Sequence, residues 1–129
     1  MRMDYLIVFL GGGVGSTCRY GVNMLSARWF GTGFPVGTLS INLFAALLMG
    51  MVVEFAFTKG NLSPHLKLLL TTGLLGGFST FSAFALEIVE LFQRGQTMAA
   101  VGYAIVSVIV GAAAVVLGMW LVRQAISVF

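Results

Sequence analysis

Four long apolar segments occupy almost the whole 129-residue chain, at about 5–27, 36–58, 66–92 and 98–122. Each is long enough to cross the hydrocarbon core of a bilayer, which takes about 20 residues of helix. Only 9% of the residues are charged and the mean hydropathy is +1.02, so a water-soluble domain of this size would lack polar surface. The pattern predicts an all-α membrane protein in which residues 1–129 form a single domain of four transmembrane helices.

The first segment begins as a signal peptide does, with Arg2 before an apolar stretch. However, Asp4 interrupts the basic start, no hydrophilic mature domain follows, and Arg19 is followed by more apolar sequence. We therefore interpret this segment as a retained helix.

Small residues recur three or four apart in every segment, which allows helix backbones to approach closely. The positions are Gly11 and Gly15, Ala46 and Gly50, Gly73 and Gly77, and Gly111, Ala114 and Gly118. Any one pair is equally explained by the high glycine content of membrane helices, but recurrence favours a compact bundle. The links at 31–35, 59–64 and 94–96 combine Gly with Pro or a basic residue, which is typical of helix ends.

Basic residues are divided weakly between the two sides that four spans would create. One side has Arg2, Lys59, Lys67 and Arg123, and the other has Arg28 and Arg94. This asymmetry orients a membrane protein poorly, so that insertion in both orientations and insertion with the N-terminus in the cytoplasm remain equal alternatives. If both occur, an antiparallel homodimer would supply the second half of a pore.

The third segment contains two adjacent glycines, Gly76 and Gly77, followed by the hydroxyl residues Ser79 and Thr80. Glycine has a low helix propensity, and hydroxyl side chains compete for backbone hydrogen bonds. We therefore predict a break in this helix at 76–80. A break frees carbonyl groups that can hold a cation and N–H groups that favour an anion.

The sequence Gly-Gly-Phe-Ser-Thr-Phe-Ser-Ala-Phe at 76–84 resembles the signature Gly-Gly-x-Thr-Thr-Phe-Ser-Thr-Phe of the Fluc (CrcB) family of fluoride channels. The similarity extends over nearly the whole chain, to Gly11-Gly12-Gly13 with Arg19, Gly37-Thr38-Leu39 followed by Asn42, and Glu87. Ser79 and Ala83 each replace a Thr of the signature. The second replacement removes one hydroxyl from the pathway.

This resemblance implies a dual-topology antiparallel homodimer in the bacterial cytoplasmic (inner) membrane, with two pathways that export fluoride passively and protect the cell from its toxicity. It also implies a structural Na⁺ on the two-fold axis, bound by the backbone carbonyls of Gly76 and Ser79 from both subunits. Phe81 and Phe84 would line each pathway, with Asn42 beside them and Glu87 near its side.

The side chains of this pathway have a chemistry that suits an anion. Aromatic rings have a positive edge, and the amide of Asn42 and the hydroxyls of Thr38, Ser82, Tyr103 and Ser107 can donate hydrogen bonds. Thr38 lies four residues from Asn42, and Tyr103 lies four from Ser107, so each pair shares one helix face. Lipid contact for the phenylalanines and back-bonding of Ser107 to its own helix are the simpler alternatives.

The charged residues have less definite roles. Arg19 either stabilises an anion at the entrance or anchors the first helix to carbonyl groups. Glu87 would repel an anion unless it is hydrogen-bonded or protonated, and Glu90 is expected to pair with Arg94. Glu54 is expected to be solvated near the membrane surface, and His65 is expected to stand alone and exposed near a loop.

Three other classes of function fit the sequence less well. A small multidrug exporter coupled to protons also has four helices and dual topology, but it uses a carboxylate within its first helix, and none follows Asp4 here. A scaffold subunit would leave the break without a purpose. An enzyme is not expected, because no constellation of His, Cys or carboxylate residues suggests a reaction.

Overall fold

The computed structural model describes the whole chain, residues 1–129, and its secondary structure is entirely helical. The elements are α1 (Arg2–Phe30), α2 (Val36–Lys59), α3 (Pro64–Leu68), a π-helical segment (Leu69–Leu75), α4 (Gly76–Phe78), α5 (Phe81–Gln93) and α6 (Thr97–Val128). From α3 to α5 these pieces form one long helical segment with a bend.

Three of these segments are long and apolar enough to cross a membrane: Val36–Lys59, Pro64–Gln93 and Thr97–Val128. They correspond to three of the four predicted spans. α1 has 29 residues and is long enough, but its glycines and the charges of Asp4 and Arg19 lower its hydropathy, and it is not among the three.

The predicted helix ends are confirmed. Gly31, Gly60 and Gly95 all have positive φ, between 62° and 75°, a conformation that glycine adopts without steric cost and that ends a helix. The hydroxyl of Ser63 accepts a hydrogen bond from the amide of Leu66, at 3.2 Å, and caps α3 just before Pro64.

A break interrupts the third segment as predicted, but it is narrower than 76–80. Gly76–Phe78 are helical, whereas Ser79 (φ −76°, ψ 157°) and Thr80 (φ −151°, ψ 120°) are extended. Gly77 serves close packing instead, because a Cβ atom there would lie 2.5 Å from the carbonyl oxygen of Gly12. The two hydroxyl residues alone make the break.

Glycines join the helices into two tightly packed pairs. α1 lies against the π-helical segment and α4, where a Cβ atom at Gly15 would overlap the carbonyl oxygen of Leu74. α2 packs along α6, where a Cβ atom at Gly50 would overlap the carbonyl of Val115 and one at Gly118 that of Leu47. The predicted close approach at Gly111 is wrong, because nothing lies within 4 Å of a Cβ built there.

Two predictions about charged residues are wrong because their partners come from distant parts of the chain. Glu54 is buried and forms an ion pair with Arg123 of α6, 69 residues away. His65 is exposed as predicted but does not stand alone, because its Nε2 lies 3.5 Å from a carboxylate oxygen of Asp4 in α1. The predicted pair of Glu90 and Arg94 is confirmed, with 3.9 Å between charged atoms.

Candidate functional site

A cavity of about 370 Å³ lies beside the break, between α2, α5 and α6. We call it the central cavity. It brings together five of the residues that the sequence suggested for an ion site: Asn42, Ser79, Phe81, Phe84 and Ser107. The rest of its wall is mostly apolar and includes Ala45, Met49 and Val115.

The side chain of Asn42 holds the break in place. Its Nδ2 donates to the carbonyl oxygen of Thr80 at 3.0 Å, and its Oδ1 accepts from the amide of Thr80 at 2.8 Å. The side-chain amide of Asn42 therefore satisfies both backbone groups of the buried Thr80. One Nδ2 hydrogen remains for a further partner.

The break diverts two amide groups from their usual α-helical acceptors. In a continuous helix the amide of Thr80 would donate to the carbonyl of Gly76, and that of Ala83 to the carbonyl of Ser79. Here the amide of Thr80 donates to Asn42. The amide of Ala83 donates to the Oγ1 of Thr80 at 3.2 Å, so that Thr80 caps α5. The carbonyls of Gly76 and Ser79 thus lose these partners.

Ser107 is the one buried side-chain polar group of the chain without a partner. Ser107 lines the central cavity, and its buried Oγ makes no hydrogen bond, not even to its own helix. Leaving a hydroxyl unbonded in an apolar setting is costly. The arrangement therefore provides a donor that is ready for a ligand.

Aromatic rings extend from the central cavity toward the start of α6. The rings of Phe81 and Phe84 lie 5.8 Å apart, and Phe84 meets Tyr103 edge to face at 5.1 Å. Phe34, from the link after α1, also contacts Tyr103, with 5.5 Å between the ring centroids. Phe81 is 79% exposed and leaves the central cavity open along one side of the chain.

Next to these rings, one carboxylate accepts two short hydrogen bonds. The Oε1 of Glu87 accepts from the hydroxyl of Thr38 at 2.6 Å, and its Oε2 accepts from that of Tyr103 at 2.7 Å. Thr38 and Tyr103 are both buried. Glu87 is thus hydrogen-bonded through both carboxylate oxygens, and hydrogen bonding was one of the two conditions expected from the sequence.

A second cavity, of about 240 Å³, lies on the far side of this carboxylate and opens near the 31–35 link. We call it the polar cleft. Its wall includes Asn23, Ser26, Thr38, Glu87, Glu90 and Arg94. Thr38, Glu87 and Tyr103 form one hydrogen-bonded group. On each of the helices α2, α5 and α6, the member of this group lies one helical turn from a residue that lines the central cavity.

Four of the predicted residues line neither cavity. Tyr103 is buried in contact with Phe84 and Glu87. Ser82 is exposed, with its Oγ 3.4 Å from the Oγ1 of Thr80. Arg19 is half-buried on α1, lines neither cavity and makes no hydrogen bond or ion pair within the chain. Gly76 is exposed and lines neither cavity.

The sequence analysis did not identify Thr80 or Ser16 as residues whose hydrogen bonds stabilise the backbone near the break. Thr80 caps α5, and its position directly before an apolar helix is a recognisable capping signal. The Oγ of Ser16 donates to the carbonyl of Gly77 at 3.3 Å, across 61 residues, and no local pattern could have indicated that contact.

The chain matches the family described as CrcB-like protein, Camphor Resistance (CrcB), over residues 6–119. It is 49% identical over 124 residues to the fluoride-specific ion channel FluC of Granulibacter bethesdensis, which covers 96% of this chain and 98% of that protein. It is 44% identical to the fluoride-specific ion channel FluC 2 of Nitrobacter hamburgensis, with 95% and 98% covered. For the fluoride-specific ion channel FluC of Paracoccus denitrificans, the identity is 46%, with 92% and 94% covered.

Proposed function

This chain belongs to the CrcB-like family, and we propose that it is a fluoride-specific ion channel that exports fluoride passively across the cytoplasmic membrane and so protects the cell. The observation that supports this most directly is the unpartnered hydroxyl of Ser107 in the central cavity. A buried donor beside two phenylalanine rings can bind a small anion without a compensating charge. The curated relatives supply the identity of that anion.

Passive conduction follows from the neutrality of the central cavity. Its polar groups are the Asn42 amide, the hydroxyls of Ser79, Thr80 and Ser107, and backbone groups, and none of them exchanges a proton near neutral pH. A pore must bind its ion weakly enough to release it, which neutral donors allow better than a fixed cation. No proton carrier is therefore built into this part of the path.

The proposed path leads from the central cavity past Phe84 and Tyr103 into the polar cleft. An ion at this level meets Thr38 and Tyr103, whose hydroxyl hydrogens are already directed at Glu87. It must compete with a carboxylate for these donors. The competition weakens binding at the end of the path and favours release into the cleft.

We propose that the carbonyls of Gly76 and Ser79 bind a structural Na⁺. The support is that both carbonyls lose their α-helical donors at the break, so their oxygens are available to a hard cation, which prefers oxygen ligands. The carbonyl of Gly77, which lies between them in the sequence, instead accepts a hydrogen bond from the Ser16 hydroxyl. A bound cation would hold the extended backbone rigid, while the chain's own residues form the anion path.

We further propose that residues 1–129 form one channel domain with four spans, α1 being the fourth, and that two chains assemble antiparallel. The exposed ring of Phe81 and the open side of the central cavity favour a second copy, because a closed path needs a wall that one chain does not supply. The weak division of basic residues is compatible with insertion in both orientations.

The multidrug exporter is not favoured. Proton coupling needs a membrane carboxylate that is free to exchange protons with a substrate site. Glu54 is bonded to Arg123 and Thr58, and Glu87 to Thr38 and Tyr103. α1 has no carboxylate after Asp4.

The test is ion efflux from liposomes that contain the purified protein, with the voltage clamped by potassium and valinomycin. We expect rapid release of fluoride, no release of chloride, and no dependence on a proton ionophore. Fluoride efflux that requires the ionophore would contradict passive conduction. Failure to release fluoride would contradict the channel itself.

A further inference from the structure

α2 and α6 are joined by an ion pair that takes no part in the path described above. The guanidinium of Arg123 donates from Nε to Oε1 of Glu54 at 2.8 Å and from Nη2 to Oε2 at 3.1 Å. The hydroxyl of Thr58 also donates to Oε1, at 3.0 Å. Glu54 is 7% exposed and Arg123 is 64% exposed, so a buried carboxylate is held by two parallel bonds.

The same two helices hold the polar groups of the central cavity. Asn42 lies three turns before Glu54 on α2, and Ser107 lies more than four turns before Arg123 on α6. Between these levels the helices touch through Gly50 and Gly118, which bring the backbones into contact. Glycine contacts set the distance between helices, but they have no side chain that resists sliding along the axis.

We propose that Arg123 and Glu54 are positioning residues, which fix the axial register of α6 on α2 and thereby place Ser107 opposite Asn42. This inference rests on the proposed function. A shift of one residue moves a helix by about 1.5 Å along its axis, and displacing a positioned group by about 1 Å can cost on the order of 100-fold in rate. Two parallel bonds between planar groups tolerate little such movement.

Stability alone does not account for the pair. The carboxylate of Glu54 loses hydration on burial, which offsets much of what its bonds to Arg123 contribute to stability. The best-attested use of such a pair is to specify one register among several of similar energy. α2 and α6, two long apolar helices that meet through small residues, are the kind of pair in which several registers would otherwise compete.

The experiment compares Glu54→Gln, Arg123→Gln and the exchanged double variant Glu54→Arg/Arg123→Glu with the wild type. Lys59→Gln is the matched control, because it removes an exposed cation from the same end of α2 with no ion pair. For each protein we would quantify the dimers that elute intact and measure fluoride efflux and chloride leak per dimer. A structural role changes only the yield and thermal stability of the dimer.

We expect each single variant to lower fluoride efflux per dimer by about tenfold or more, by analogy with misplaced catalytic groups. The exchanged variant should recover most of that loss, and Lys59→Gln should match the wild type. Wild-type efflux from intact dimers of the single variants would overturn the proposal, as would an exchanged variant that stays as slow as they are.

If neither single variant forms dimers, Arg123→Lys is assayed instead, because it keeps the charge but cannot make two parallel bonds. Wild-type efflux from that variant also overturns the proposal. Efflux by the wild type distinguishes this inference from the channel function. Absence of fluoride efflux in the wild type would contradict both. Normal wild-type efflux with unaffected variants would contradict the inference alone.

Discussion

At the scale of single residues, the central cavity offers an anion one free hydroxyl and two phenylalanine rings. We predict that Ser107→Ala slows fluoride efflux by about tenfold or more, since a hydrogen bond to a charged partner contributes about 1.5–3 kcal/mol. Ser40→Ala is the control, because that hydroxyl donates to the carbonyl of Val36 in its own helix. Equal efflux from both variants in liposomes would show that Ser107 does not contact the ion.

The phenylalanine ring edge can be tested at the next position along the path. Phe84→Ile keeps apolar volume but removes the aromatic ring and its positive edge, so we predict a severe loss of fluoride efflux from dimers that still form. The same change at Phe57, which is exposed and far from both cavities, should have little effect. Full activity in Phe84→Ile would exclude the aromatic mechanism.

Several residues of the central cavity could be identified from sequence because a signature and a helical spacing pointed to them. The contacts of Glu54 and Ser16 could not, since their partners lie 69 and 61 residues away. Asn42 lines the same cavity as the phenylalanines, but its bonds to Thr80 depend on how α2 meets the break. Spacing along one helix predicts a shared face and says nothing about the partner across from it.

At the scale of elements, the break depends on one amide. We predict that Asn42→Ala destabilises the folded protein, because it leaves two buried backbone groups of Thr80 unsatisfied at about 1–3 kcal/mol each. Thermal unfolding in detergent measures this, with Asn61→Ala in the exposed α2–α3 link as the control. An unchanged unfolding temperature for Asn42→Ala would mean that other groups hold the break.

The contact between α1 and α4 gives a second prediction at this scale. Gly77→Val should prevent folding or assembly, because even its Cβ atom would lie 2.5 Å from the carbonyl oxygen of Gly12. Gly21→Ala, at a position with open space, should be tolerated. The yield of intact dimer by size-exclusion chromatography distinguishes them, and a normal yield of Gly77→Val would contradict this packing.

The same contact explains why the break was predicted too wide. Two adjacent glycines indicate weak helix propensity, but Gly77 is needed for close packing on α1 and stays helical. The π-helical turn before it has no comparable signal in the sequence. Tertiary contact overrides local propensity here, so the presence of a break was predictable while its limits were not.

At the scale of the whole molecule, we predict that both orientations coexist in one membrane. In a Cys18→Ala background, a cysteine at Gly95 in the α5–α6 link should react with impermeant reagents added from either side. The replacement is necessary because Cys18 is the only cysteine and is exposed. Reaction from one side alone would contradict dual topology, and the background protein without an added cysteine should not react.

The bonds between Asn42 and Thr80 also bear on the order in which the protein is made. Extended backbone cannot enter hydrocarbon without partners for its polar groups. Asn42 precedes the break by 38 residues, so α2 leaves the ribosome first and its amide is already present when Thr80 follows. A permuted gene that placed α2 last would expose those groups to lipid throughout synthesis. The order of helices along the chain thus supplies the partner before the backbone groups that need it.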